Sequence, residues 1–293
     1  MLHHLVGAVV ELLLGGNNAE QVDDEGKQQD SNKDEDHCAE ATGFSPFAFQ
    51  ELCHSMIFFI HGGGFTSGDK EDGRYICPYY AANGMIAVSA NYSLTSEEKP
   101  ISINQMYAEL KNTVQAVKGY CAGQGYRITE MAVSGTSAGG ALALLLAYRE
   151  PESLAVPVRF VFEQSGPVSF EPEEWGGTDA SVCAGFASKM TGEPFTAEDV
   201  GSEDYQKAID RISPETFVNE DTVPTILGYS PRDIVVPPGI KYRLLEKLEE
   251  SGIIYDYIEF PNSGHGLLHD PDKSEEFYRL TDEYIDRYFE NKQ

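Results

Sequence analysis

The most restrictive feature of this chain is a junction. The short apolar run Met131 to Ser134 ends at Gly135-Thr136-Ser137-Ala138-Gly139, and a nearly continuous apolar stretch, Ala138 to Tyr148, begins inside that same pentapeptide. The run reads as a buried strand and the longer stretch as a helix. A strand that becomes a helix within a few residues must turn sharply, and residues beside its apex must lack bulk, which accounts for the flanking glycines. Such a turn projects the Ser137 hydroxyl out at the end of a sheet. It also sets that hydroxyl at a helix N-terminus, where backbone N–H groups and the positive dipole end favour a developing negative charge. Ser137 is therefore a candidate nucleophile.

From Ser55 onward, short apolar runs alternate with longer amphipathic ones. Strands are expected at Met56 to Ile60, Met85 to Ala90, Met131 to Ser134, Val158 to Phe162, Pro224 to Gly228 and Ile253 to Phe260. Helices are expected at Tyr107 to Lys118, Ala138 to Tyr148, Gly239 to Glu250 and Ser274 to Phe289. Most of the strand candidates are apolar throughout, as strands are when helices cover both faces of a mostly parallel sheet, so the class is α/β. Residues 168–212 interrupt the alternation with Trp175, glycines and polar residues, and read as a small cap-like excursion above the sheet.

The N-terminal part differs. Residues 15–40 are dense in Asp, Glu, Gln, Asn and Lys and poor in large apolar groups. Such a tract cannot bury enough surface to offset its ordering entropy, so flexibility is expected. The reading is an atypical N-terminal segment over 1–40 and one domain over 41–293. The apolar run Leu5 to Leu14 is too short to span a bilayer, and with Glu11 inside it and no basic region before it, it makes a poor secretory signal. It is apolar enough to serve as an edge strand. A cytoplasmic location is expected, with export as the alternative.

Charge narrows the partners. With 21 basic against 48 acidic side chains the chain carries −27, which repels phosphate backbones and anionic headgroups. A small-molecule partner is expected, without nucleic acid and without membrane insertion. The five cysteines are dispersed, with neither paired nor metal-ligand spacing, and read as reduced thiols, mostly small buried hydrophobes.

Three further segments complete a chemistry around Ser137. His61-Gly62-Gly63-Gly64 follows a buried strand, where glycines weaken the strand but let backbone amides approach a ligand closely. His61 itself reads as a brace for that loop. Seven histidines compete as general base. His265 lies between Gly264 and Gly266, in a loop straight after the last strand, and is favoured over His269, which looks like the approach to a helix. His3, His4, His37 and His54 precede the clear part of the domain. Asp233, just past the strand ending at Gly228, is the expected acid, with Glu163 at the end of the preceding strand as the alternative. The order Ser…Asp…His suits a nucleophile on a strand-to-helix turn.

Together, His61 to Phe65, Asn91-Tyr92-Ser93-Leu94, Gly135 to Gly140, Ser213-Pro214 and the loops of Asp233 and His265 resemble the hormone-sensitive-lipase-like esterases. They are similar above all to the bacterial feruloyl- and acetyl-xylan-esterase-like branch. The resemblance runs from about Met56 to the C-terminus and implies an α/β-hydrolase fold. It also implies an oxyanion hole formed by the amides of Gly63, Gly64 and Ala138. Ser93 stands where this family has arginine, and Tyr229-Ser230-Pro231-Arg232 replaces a glycine before the acid. The family's first strands have no clear counterpart before Ser55. The implied activity is serine carboxylic-ester hydrolysis through Ser137, Asp233 and His265, without metal or organic cofactor. The expected substrates are short-acyl esters, with sugar-linked acetyl and aryl esters among the candidates. Trp175, Phe186 and Met190 are candidate substrate-binding residues. A peptidase or amidase on the same fold, or a catalytically silent binding module, are the alternatives.

Overall fold

The computed structural model describes residues 10–14 and 53–290. Among them, β1 (Val10–Leu14), β2 (Cys53–Ile60), β3 (Ile86–Ala90), β4 (Arg127–Thr136), β5 (Val158–Gln164), β6 (Thr225–Tyr229) and β7 (Tyr255–Glu259) form one sheet. The strand order is β1-β3-β2-β4-β5-β6-β7. All neighbours from β3 to β7 run parallel, and β1 alone pairs antiparallel, on the outer edge of β3. The last half of the N-terminal apolar run thus supplies an edge strand. Residues 1–9 and the acidic tract of 15–40 lie outside the described residues.

Helices α1 (Cys77–Ala82), α2 (Ile103–Gly123), α3 (Ala138–Tyr148), α4 (Ala180–Thr191), α5 (Glu203–Asp210), α6 (Lys241–Glu250) and α7 (Pro271–Tyr288) complete the α/β-hydrolase fold. Side-chain alternation along a strand explains the layers. On β2, Met56, Phe58 and Ile60 join the core beneath α2, α3 and α6, whereas Ile57 and Phe59 point into a second core under α1 and α7. Both faces are covered, which is why the strands read as unbroken apolar runs. Helix α2 starts at a capping box in which Ser102 and Gln105 satisfy each other's backbone N–H. Ile103, Met106, Tyr107, Leu110, Val114, Val117 and Cys121 form its buried stripe, at helical spacing. Helix α3 is buried on every side, so an all-apolar sequence suits it.

The register decides where loops meet. Ile60 of β2 pairs with Gly135 of β4, Thr136 with Gln164 of β5, Gln164 with Gly228 of β6, and Tyr229 with Glu259 of β7. The segments following β2, β4, β6 and β7 therefore leave the sheet side by side at its carboxyl edge, where open α/β sheets gather ligands.

Residues 168–212 carry α4 and α5. Asp179 caps α4 through the N–H groups of Ser181 and Val182, and Gly192 ends it at φ 79°, in the left-handed region glycine adopts freely. Helix α4 packs against α5 and α2. The excursion touches the glycine loop through Phe170, whose ring lies 5.9 Å from that of Phe65.

Candidate active site

Ser137 sits at the apex of the turn between β4 and α3 with φ 53° and ψ −125°. For a residue with a side chain this costs on the order of 1–3 kcal/mol, and packing must hold it there. The flanking glycines show how. A Cβ on Gly139 would stand 2.1 Å from Ile60 O, and one on Gly135 would stand 2.2 Å from Gly139 O. Helix α3 can thus close onto the ends of β2 and β4 only without those side chains. The Ser137 N–H is anchored to Gln164 O at 2.8 Å.

His265 Nε2 lies 2.8 Å from Ser137 Oγ, and its Nδ1 lies 2.7 Å from Asp233 Oδ2. Three loops separated by up to 128 residues therefore meet in one hydrogen-bonded chain. The Asp233 side chain is buried and its other oxygen accepts the N–H groups of Val235 (2.8 Å) and Val236 (3.0 Å). Burial pushes this carboxyl up, but the bonds from His265 and the two backbone amides outweigh it and hold Asp233 below its usual range. It stays ionised, as a partner for an imidazolium must.

His269 is exposed, and its backbone N–H donates to Ser263 Oγ at 3.0 Å. His54 lies at the start of β2, at the far end of the sheet, while His3, His4 and His37 are outside the described residues. His61 is buried, stacked on Tyr92 at 4.4 Å, with Nδ1 2.8 Å from Gly62 O. Tyr92 donates to His61 O at 3.0 Å, so the pair ties the glycine loop to the segment after β3. Ser93, at the position of the family's arginine, leaves its N–H bound to Glu109 Oε2 at 2.7 Å.

Gly63, Gly64 and Phe65 are consecutive left-handed residues, with φ of 112°, 60° and 65°. The loop is closed by the N–H groups of Thr66 (3.1 Å) and Ser67 (3.0 Å) on Gly63 O. A Cβ on Gly62 would come within 2.9 Å of Thr136 O and 3.2 Å of Ser137 Cβ, so glycine there lets this loop lie against the nucleophile turn. Gly62, Gly63, Gly64, Ser137, His265 and Val235 line one cavity of about 440 Å³.

Glu163, the alternative acid, is fully buried behind the turn and accepts Gly166 N–H at 2.7 Å, away from His265. A Cβ on either Gly140 or Gly166 would stand 2.6 Å from its Oε2, so those glycines make its space. Burial pushes this carboxyl up to about 8, against the pull of the Tyr229 hydroxyl and the Gly166 N–H. The folded chain thus holds a proton that the unfolded chain releases above an ordinary value of 4.5. The stability so contributed is whole below that value and is lost as pH rises through about 8, at up to ~1.4 kcal/mol per pH unit. Thermal melts at pH 5 and pH 8.5 should therefore show a smaller fall for Glu163→Gln than for the native chain. Parallel falls would mean that Glu163 is not a buried acid.

Trp175, Phe186 and Met190 are absent from the cavity wall, contrary to the expectation for them. Trp175 stacks between Phe170 (6.1 Å) and Phe186 (5.9 Å), and its indole N–H donates to Ser169 O at 3.1 Å. Met190 packs half-buried against the same core. Side chains this apolar gain more by burial against one another than by lining an open cleft.

Several supports of the site carry no sequence signature. Ser165 Oγ donates to His265 O at 3.0 Å. Asp270 accepts from Ser263 Oγ (2.6 Å) and from Asn262 Nδ2 (2.8 Å), pinning both ends of the histidine loop. Ser230, in the segment that replaces the family's glycine, donates to Ser263 O and accepts Arg232 N–H at 2.9 Å, which joins the acid loop to the histidine loop. A serine or aspartate in a loop is too common for spacing alone to single these out. Among the described residues, no cluster of His, Cys, Asp and Glu is arranged to hold a metal, and no helix is long and apolar enough to cross a membrane.

Comparison with known proteins agrees with this architecture. The chain is 28% identical over 148 residues to Esterase LipI of Mycobacterium tuberculosis, a match covering 47% of this chain and 45% of that protein. It thus spans under half the length of that curated relative. Among solved structures, the thermophilic esterase Est2 of Thermogutta terrifontis in its propionate-bound form superposes with a TM-score of 0.65 at 20% identity, over 83% of this chain and 87% of that one. The apo form of Thermogutta terrifontis esterase 2 gives 0.65 at 18% identity, over 96% and 89%. At such identities the likeness establishes the fold. The BD-FAE family matches residues 46–248, most of the sheet with the glycine loop, the nucleophile turn and the acid loop, and the chain belongs to that family.

Proposed function

We propose that this protein is a serine carboxylic-ester hydrolase acting on short-acyl esters. The observation that carries the reading is the unbroken chain Asp233–His265–Ser137, at 2.7 and 2.8 Å, opening into a cavity walled by the glycine loop. His265 takes the Ser137 proton as Oγ attacks the ester carbonyl. The amides of Gly63, Gly64 and Ala138 hold the tetrahedral oxyanion, Ala138 at the positive end of α3. His265 then passes the proton to the leaving alcohol, freeing it and leaving an acyl-Ser137 ester. Water enters and gives a proton to His265 as its oxygen attacks the acyl carbonyl; the bond to Oγ then breaks, His265 returns the proton to Ser137, and the acid leaves. Asp233 holds the imidazole tautomer and balances its positive charge.

Family membership and the printed description of the Mycobacterium tuberculosis relative as an esterase support this activity. The propionate- and butyrate-bound forms of the Thermogutta terrifontis enzyme support short acyl groups, with sugar-linked acetyl and aryl esters among the candidate substrates. A p-nitrophenyl ester series tests the reading. The value of kcat/KM should be highest between acetate and butyrate and fall at least about tenfold by octanoate, in line with the propionate- and butyrate-bound forms of the similar enzyme. A maximum at octanoate would reject the short-acyl assignment, and no turnover of any member would reject the activity.

A further inference from the structure

A second cavity, of about 230 Å³, adjoins the one at Ser137. Asp72, Thr136 and Gln164 line both, so the two spaces meet behind the nucleophile turn. The floor of the second is apolar and buried: Phe59 of β2, Phe162 of β5 and Phe277 of α7. Its outer walls are Tyr75 and Tyr278, both exposed. No lysine or arginine lines either cavity, and Asp72 is the one carboxylate lining them among the described residues.

An aromatic cup with a single carboxylate at its neck has the chemistry of a cation site. Ring faces attract an ammonium through their quadrupole, and the carboxylate adds a direct charge. The guanidinium of Arg74, which lines neither cavity, lies 4.8 Å from the centre of the Tyr75 ring and donates to its hydroxyl at 2.9 Å. A chain carrying −27 favours the approach of a cation in any case.

The position in the fold says which half of an ester would enter. The cup is walled by α7, the helix that directly follows the His265 loop. His265 must protonate the departing oxygen, so the alcohol half lies on its side of the carbonyl. We infer that the cavity behind Asp72 binds a cationic, amine-bearing alcohol arm of the substrate, with Asp72 as its specificity determinant. This rests on the hydrolase reading above and narrows its substrate class. No covalent step is added: the arm is held by its charge while the acyl group transfers to Ser137.

The test compares choline acetate with 3,3-dimethylbutyl acetate, which has the same shape and acyl group but no charge. The native chain should favour the charged ester in kcat/KM by about tenfold, the factor expected of a partly desolvated cation–π and carboxylate contact. In Asp72→Asn the ratio should fall to about two or less, and Tyr75→Ala should reduce it as well. Both esters share the acetyl group, so a general loss of activity leaves the ratio untouched. A native ratio near one, or a ratio that survives Asp72→Asn, overturns the assignment. Should the native chain hydrolyse no ester, the hydrolase reading fails separately. Calorimetric titration with phenyltrimethylammonium then decides the cavity by itself: saturable binding weakened at least about fivefold in Asp72→Asn supports it, and no saturable binding overturns it.

Discussion

Ser137→Ala is expected to lower kcat for p-nitrophenyl acetate by about 10⁵–10⁶, leaving only the ~10³–10⁴-fold advantage over water that binding and the oxyanion donors supply. The size of the loss follows from the chemistry. Without Oγ no acyl-enzyme forms, and the His265 imidazole, 2.8 Å from that oxygen, has nothing to deprotonate except water held less well. The fold should survive. The Ser137 backbone is held by Gln164 O and by the closure of α3 on β2 and β4, and alanine meets the same contacts at φ 53° as serine does. A melting temperature within a few degrees of native, with hydrolysis near background, is the expected pair of results. A variant retaining a tenth or more of native turnover would place the reaction elsewhere.

Asp233→Asn should cost about 10⁴ in kcat, with little effect on folding. Asparagine retains an oxygen to accept the N–H groups of Val235 and Val236, so the loop stays closed. Its amide nitrogen then faces His265 Nδ1 in place of Oδ2, where the native contact is 2.7 Å. A donor there favours the tautomer with the proton on Nε2, and an Nε2 that already carries a proton cannot accept one from Ser137. Glu163→Gln is the matched control. Its carboxyl is protonated near neutral pH and touches Gly166 rather than His265, so its loss should change kcat less than about tenfold. Equal losses in the two variants would mean that Asp233 has no special tie to the base.

The readable parts of this chain share a physical reason. Strands β2 to β6 are covered on both faces or nearly so, and coverage forces apolar runs that stand out in sequence. The Ser137 turn is legible because close approach of α3 to β2 leaves no room for a Cβ at Gly135 or Gly139. His265 and Asp233 follow once that turn is found, since each lies in the loop after a recognisable strand.

What stayed hidden depends on distant residues meeting. Helices α1 and α5 span only six and eight residues, too short for periodicity to speak. The rings of Trp175 and Phe186 are as suited to a pocket wall as to a stack, and only Phe170 beside them decides for the stack. Likewise the second cavity joins Asp72 to Tyr278, more than 200 residues apart, through no motif of either segment. Of the N-terminal apolar run, hydropathy made an edge strand plausible, but its pairing with β3 is a tertiary fact.

The most direct test of the central claim is labelling of the native chain with a fluorophosphonate, followed by peptide mass spectrometry. The reagent captures a serine whose hydroxyl is activated by a neighbouring base, whatever the natural substrate. One phosphonyl adduct per chain is expected, on the peptide containing Ser137, formed rapidly in the native protein and absent from Ser137→Ala. Adduct formation should also slow strongly in Asp233→Asn. An unlabelled native chain, or an adduct on another residue that persists in Ser137→Ala, would contradict the account.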